Sequence, residues 1–194
     1  VVFGHVVNTE PKDMYLSRVA AIHGGCPEST PAFNVNRLCG SGLQAIVSAS
    51  QTILLGDADI AVAGGAENMS RGPYASLSAR WGARMGDAKL VDMMVGALHD
   101  PFHNIHMGVT AENIAAKWGI TREAQDELAA TSHMNLAKSY EDGWQDDLIT
   151  PFLGVEKDNN LRPDSTVEKL AKLKPVFGRG EGATMTAGNS TPLS

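Results

Sequence analysis

The chain has 194 residues, of which 43% are hydrophobic and 20% charged, with a formal net charge of -6. That acidic balance excludes nucleic acid as the main partner, because phosphate backbones select clustered Lys and Arg. No apolar run reaches the roughly 18 residues that a membrane span needs, which excludes a helical membrane protein.

The 20 glycines favour an α/β protein with many tight turns over a helical bundle. Val1-Val2-Phe3-Gly4 reads as a strand. Residues 31–38 alternate enough to form another, entering a turn at Cys39-Gly40-Ser41-Gly42. A helix follows, with Leu43, Ile46, Val47, Ser50 and Leu54 on one stripe and Gly56 as its stop. Residues 59–65 are a short, continuous apolar run between turn signals, the pattern of a strand buried on both faces. Strand, helix, strand in this order predicts a right-handed crossover in a largely parallel sheet.

Beyond residue 71 the texture becomes polar and broken by turns. Residues 109–118 read as a helix with Ala111, Ile114, Ala115 and Trp118 on one face and Gly119 as its stop. A second helix runs from Thr121, as N-cap, to about Glu141, carrying Ala124, Leu128, Leu136 and Tyr140 four or eight apart. Residues 158–162 form a polar loop and 166–173 another short helix. The expected division is a core part at 1–71, a mostly helical insertion at 72–185 and a return to the core at 186–194.

Cys26 and Cys39 are the two cysteines. They make neither a C-x-x-C pair nor a disulfide framework, which suits a reducing, cytoplasmic compartment. Cys39 stands where a strand turns into a helix, and glycines let the backbone turn there with little steric cost. A cysteine so placed lies near the positive end of the helix dipole, which favours a thiolate nucleophile. Amides of the same turn could also hold an oxyanion. The alternative is a small residue buried in a tight turn. A serine-hydrolase elbow is not present, because Ser41 lacks the G-x-S-x-G frame.

Asn36-Arg37-Leu38-Cys39-Gly40-Ser41-Gly42-Leu43-Gln44-Ala45 resembles the signature around the acyl-accepting cysteine of thiolases. Gly64-Gly65-Ala66-Glu67-Asn68-Met69-Ser70 is similar to that family's next core strand and turn. His106-Met107-Gly108-Val109-Thr110-Ala111-Glu112-Asn113 resembles its pantetheine-channel segment, and Thr186-Ala187-Gly188-Asn189 its return to the core. The tracts 80–87 and 99–103 look most like bacterial β-ketothiolases. The resemblance implies a layered α/β/α thiolase-like fold, partial here, with a mostly helical loop-domain insertion.

It also implies an acyl-CoA C-acyltransferase in which Cys39 takes an acyl group as a thioester and a second acyl-CoA attacks it by Claisen condensation. Leu98, His106 and Met107 would line the pantetheine tunnel, Arg162 would lie beside the adenine and phosphate end, and Phe177, Ala187, Gly188 and Thr191 would complete the CoA slot. Coenzyme A thioesters would be substrates with no further cofactor, and the assembly would be a homodimer or homotetramer. The family's activating histidine, its second cysteine and an asparagine of an acidic motif lie on segments that would follow these residues, so the chain is expected to be part of a longer polypeptide. Residues 190–192 read Ser-Thr-Pro where the family usually has Ala-Ser-Gly.

Other readings are a non-catalytic CoA-binding fragment and a ketoacyl-synthase relative. A metal site at His99, His103 and His106 is disfavoured, because Pro101 interrupts the helix that would align them.

Overall fold

The computed structural model describes residues 1–178, 180 and 182–190. Contacts divide the chain into two compact units, Val1–Leu98 and His99–Ser194.

In the first unit β1 (Val2–Gly4), β2 (Phe33–Val35) and β3 (Ala63–Gly65) form a parallel sheet in the order β2-β1-β3. The register sets Val2 against Phe33 and Ala63, and Gly4 against Val35 and Gly65. The chain reaches β2 through α1 (Leu16–His23), then crosses β1 to β3 through α2 (Ser41–Leu54). Reversing direction with crossovers of one hand puts the two helices on opposite faces. Side-chain alternation agrees. Val2 and Val35 pack with Ala45 and Ala49 of α2, whereas Asn34, out of phase with them, accepts the Ser17 N–H of α1 at 2.9 Å.

The face of α2 that packs is not the stripe of large residues. Ser41, Ala45 and Ala49 are buried, while Leu43 and Leu54 are 69% and 84% exposed. The sheet presents Gly4 and Ala63 to the helix, so the backbones come close and only small side chains fit between. A β-carbon placed on Gly4 would lie 2.6 Å from the Ser41 carbonyl carbon. After β3 come β4 (Tyr74–Ala75), antiparallel β5 (Val91–Asp92) and α3 (Met93–Ala97), capped by the Asp92 carboxylate. Residues 72–98, grouped by texture with the polar half, therefore fall in the first unit.

The second unit holds the hairpin β6 (His99–Asp100) and β7 (Ile105–His106), then α4 (Met107–Trp118), α5 (Arg122–Glu141) and α6 (Val167–Leu170). Helix α4 stops at Gly119 in the left-handed region, and the Thr121 hydroxyl caps α5 by accepting the Ala124 N–H. Here too some large residues of the expected stripes lie outward, though Leu136 and Tyr140 are half-buried. Trp118 and Leu128 are exposed, and Ala115, Asp126 and Ala130 are buried. The reason is polar. Asp126 Oδ2 accepts from Arg122 Nε at 2.7 Å and Oδ1 from Asn189 Nδ2 at 3.0 Å, so a charged network occupies the inner face of α5. Glu112 of α4 likewise reaches inward to the N–H groups of Thr184 and Met185. Among the described residues no helix is long and apolar enough to cross a membrane.

Candidate active site

The turn before α2 is built from its own side chains. Asn36 Oδ1 accepts the Leu38 N–H at 3.0 Å. Ser41 Oγ accepts the Arg37 N–H at 2.9 Å and donates to the Leu38 carbonyl at 2.6 Å. These bonds hold Leu38 at φ 47, a left-handed conformation that a bulky residue adopts only when its surroundings impose it. Cys39 is thereby presented, exposed, one residue before the cap of a 14-residue helix. Besides the Arg37 and Leu38 amides, Gly40 N–H donates to Arg37 O at 3.1 Å and Ser41 N–H to Leu38 O at 3.0 Å, so all four are already used. The expectation that the turn's amides serve an oxyanion therefore fails for these four; other donors are needed.

Cys39 opens onto a cavity of about 400 Å³ at the carboxyl ends of all three strands. In doubly wound sheets this is the ligand crevice, where successive connections run to opposite sides. The walls are largely apolar. Gly4, Val6 and Val7 come from the end of β1, Gly65, Ala66, Glu67 and Met69 from the end of β3, and Ala97 and Leu98 from α3 and its cap. Leu98, expected along the pantetheine arm, lines the same cavity as Cys39. Sequence reasoning passed over Ser41 and Glu67. The signal for Glu67 was a lone charge directly after an uncharged apolar strand.

The remaining predicted residues lie in the second unit. His106 caps α4, its Nδ1 accepting the Gly108 N–H at 3.0 Å, so a neutral ring carries its proton on Nε2. Phe177 stacks on it with ring centroids 5.0 Å apart and passes directly over Gly108, where any β-carbon would collide with the ring. Met107 begins α4 and is partly exposed. Arg162, Ala187 and Gly188 line one cavity of about 390 Å³, together with Lys169, His133 and Ser165. The Arg162 guanidinium also bonds the carbonyls of Asn159 and Leu161 at 2.8 and 3.0 Å. Thr191 lies outside the described residues.

His99 and His106 meet edge to face at 5.4 Å, while the His103 ring turns outward to Asp100 Oδ2. Among the described residues no three His, Cys, Asp or Glu side chains are placed to hold a metal ion. The Asp100 carboxyl is held below the usual carboxylate range, first by the His103 side chain and then by the Phe102 and His103 amides.

A parallel switch-point sheet with an exposed cysteine at the strand ends defines an α/β protein with a free thiol at its ligand crevice. The family model for the thiolase N-terminal domain matches residues 1–194, and the chain belongs to the thiolase family. It is 56% identical to the β-ketothiolase BktB of Cupriavidus necator and 46% identical to an acetyl-CoA acetyltransferase of Pseudomonas aeruginosa, in both cases over 100% of this chain and 51% of the relative. The chain thus spans about half the length of these curated relatives. Among solved structures, human mitochondrial 3-ketoacyl-CoA thiolase in complex with CoA superposes with a TM-score of 0.88 at 36% identity, covering 96% of this chain and 48% of that one. The Bacillus anthracis acetyl-CoA acetyltransferase gives 0.85 at 40% identity, over 97% and 49%.

Proposed function

We propose that the protein carrying this chain is an acyl-CoA C-acyltransferase that makes or cleaves 3-ketoacyl-CoA through an acyl-cysteine at Cys39. The carrying observation is the presentation of Cys39. A strained, side-chain-locked turn holds the sulfur at the mouth of an apolar cavity, one residue before the cap of a 14-residue helix. In the first half-reaction Sγ bonds to the acyl carbon and the CoA thiolate leaves. In the second, the α-carbanion of another acyl-CoA attacks that carbon and the Cys39 thiolate is released. Thiolysis is the reverse.

The cavity at Arg162 supports recognition of the CoA nucleotide, since Arg162 brings a cation to a recess whose walls also carry Ala187 and Gly188, while the Lys169 ammonium there is paired with the Asp164 carboxylate at 2.7 Å. The stacked His106 and Phe177 and the adjacent Met107 fit the flexible pantetheine arm. No cofactor beyond the CoA thioesters is required by this chemistry. A homodimer or homotetramer in the cytoplasm completes the reading, and light scattering tests the assembly.

The decisive experiment is the intact mass of the protein after exposure to acetyl-CoA. One acetyl group, mapping to Cys39 by peptide digestion and lost in Cys39→Ala, is the expected result. Acetylation elsewhere, or none, overturns the proposal.

A further inference from the structure

His5 directly follows β1, and its side chain is 6% exposed. Nδ1 lies 2.7 Å from the Ala66 carbonyl oxygen, so the ring donates its proton there. Nε2 is buried without a hydrogen-bond partner. The carboxylate nearest to Nε2, Asp13 Oδ2, is 4.0 Å away and already accepts from the Thr9 amide and hydroxyl. A phenyl ring would fill the same space without stranding a polar atom. The imidazole is therefore used for its bond to Ala66, with Glu67 Oε1 3.4 Å from the same Nδ1.

That bond belongs to a set. Glu67, the next residue, accepts the Val6 N–H at 2.9 Å on Oε2 and the Val7 N–H at 3.0 Å on Oε1. The Ala66 N–H donates to the Gly4 carbonyl at 3.2 Å. The segments leaving β1 and β3 are thus joined where the strand ladder ends. Val6, Val7, Ala66 and Glu67 form walls of the Cys39 cavity, while His5 lies outside that lining.

We infer that His5 and Glu67 are positioning residues for acyl transfer, a brace that fixes the far wall of the cavity relative to the Cys39 sulfur. This rests on reading Cys39 as the acyl acceptor. The hydrogen bonds of the brace end on Ala66, Val6 and Val7 and on no group of the Asn36–Ser41 turn, so its effect is expected on the placement of the acyl group.

The test uses three variants of the intact protein. His5→Phe keeps the ring and removes the donor. His5→Gln returns an N–H within reach of Ala66. Glu67→Gln turns an N–H toward a backbone donor. Acylation of Cys39 by acetyl-CoA is followed by mass over a concentration series, with alkylation by iodoacetamide and urea unfolding in parallel. A 1 Å misplacement can cost about a hundredfold, and a wall released by a fraction of that distance is expected to cost His5→Phe and Glu67→Gln about tenfold in limiting acylation rate. The half-saturating acetyl-CoA concentration and the alkylation rate stay within about twofold of wild type, far below the roughly hundredfold effect of a 1 Å misplacement, and His5→Gln regains most of the lost rate. An unchanged rate in His5→Phe and Glu67→Gln overturns the inference. So does a loss matched by iodoacetamide, or one that His5→Gln does not recover. If the wild-type protein is not acetylated at Cys39, the underlying reading falls and this one with it.

Discussion

Replacing Gly4 by alanine tests whether the close approach of β1 to α2 sets the position of the nucleophile. The new β-carbon would meet the Ser41 carbonyl carbon at 2.6 Å and the Gly42 nitrogen at 2.8 Å, against the 3.4 Å at which ordinary contact begins. The start of α2 must therefore retreat by about 0.8 Å, the difference between 3.4 and 2.6 Å. Neither side has a flexible end that yields. Gly4 is paired on both edges of the central strand, and Ser41 is held by Arg37 and Leu38. Overpacking of this kind costs about 1–3 kcal/mol, here toward the upper end because backbone meets backbone. A fold worth about 5–15 kcal/mol survives that loss. Activity suffers more, since a displacement near 1 Å at a reacting group can cost about a hundredfold. Urea unfolding of the intact protein gives the first quantity and the time course of Cys39 acetylation the second. Gly42→Ala is the stability control. It meets nothing within 4 Å, and an alanine early in a helix is expected to stabilise by about 0.5–1 kcal/mol. A Gly4→Ala protein with wild-type acetylation and a change below about 0.5 kcal/mol, the range of a neutral surface substitution, would refute the argument.

In Gly108→Ala the methyl group displaces Phe177 from its stack on His106, so CoA binding measured by calorimetry should weaken by about tenfold, the equivalent of roughly 1.4 kcal/mol. Wild-type affinity would show that the stack is not part of the CoA slot. Asp126→Ala leaves the Arg122 charge unpaired within the second unit and should cost about 3–5 kcal/mol in urea unfolding, with Asp126→Asn costing less. Burial works to raise the Glu112 carboxyl, but the Met185 and Thr184 amides and the Thr184 hydroxyl outweigh it and hold the group below its ordinary value of 4.5. Its contribution to stability is thus complete above pH 4.5 and is lost as pH falls through the lower native value. Glu112→Gln should flatten that acid limb of the urea midpoint against pH; an unchanged limb would show that Glu112 is not its source.

The strand-turn-helix at Cys39 was legible because each part has a local cause. An apolar run ends, small residues permit a sharp turn, and Gly56 at φ 79 ends the helix. The caps of α4 and α5 were legible for the same reason, since Gly119 and Thr121 act on their own neighbours. Which face of each helix packs was not. Helical periodicity ranks faces by hydrophobicity, but α2 meets a sheet of glycine and alanine where a leucine would not fit. In α5 the inner face is taken by Asp126, whose partners Arg122 and Asn189 lie four and sixty-three positions away. Only the first of these separations leaves a trace in a helical pattern.

The same distinction separates Cys39 from His5 and Glu67, the residues proposed to brace its cavity. Cys39 announces itself because the chemistry it offers and the turn that exposes it are contiguous. His5 and Glu67 are 61 and 60 positions from the groups they bind, and no sequence-local rule joins them. They become visible only once parallel pairing sets Gly4 beside Gly65, which brings the two residues that follow each strand into one layer. A switch-point sheet therefore divides its labour along the chain. One connection carries the reactive atom on a turn of its own making, while the other two strand ends, held to each other, form the surface that the reactive atom faces.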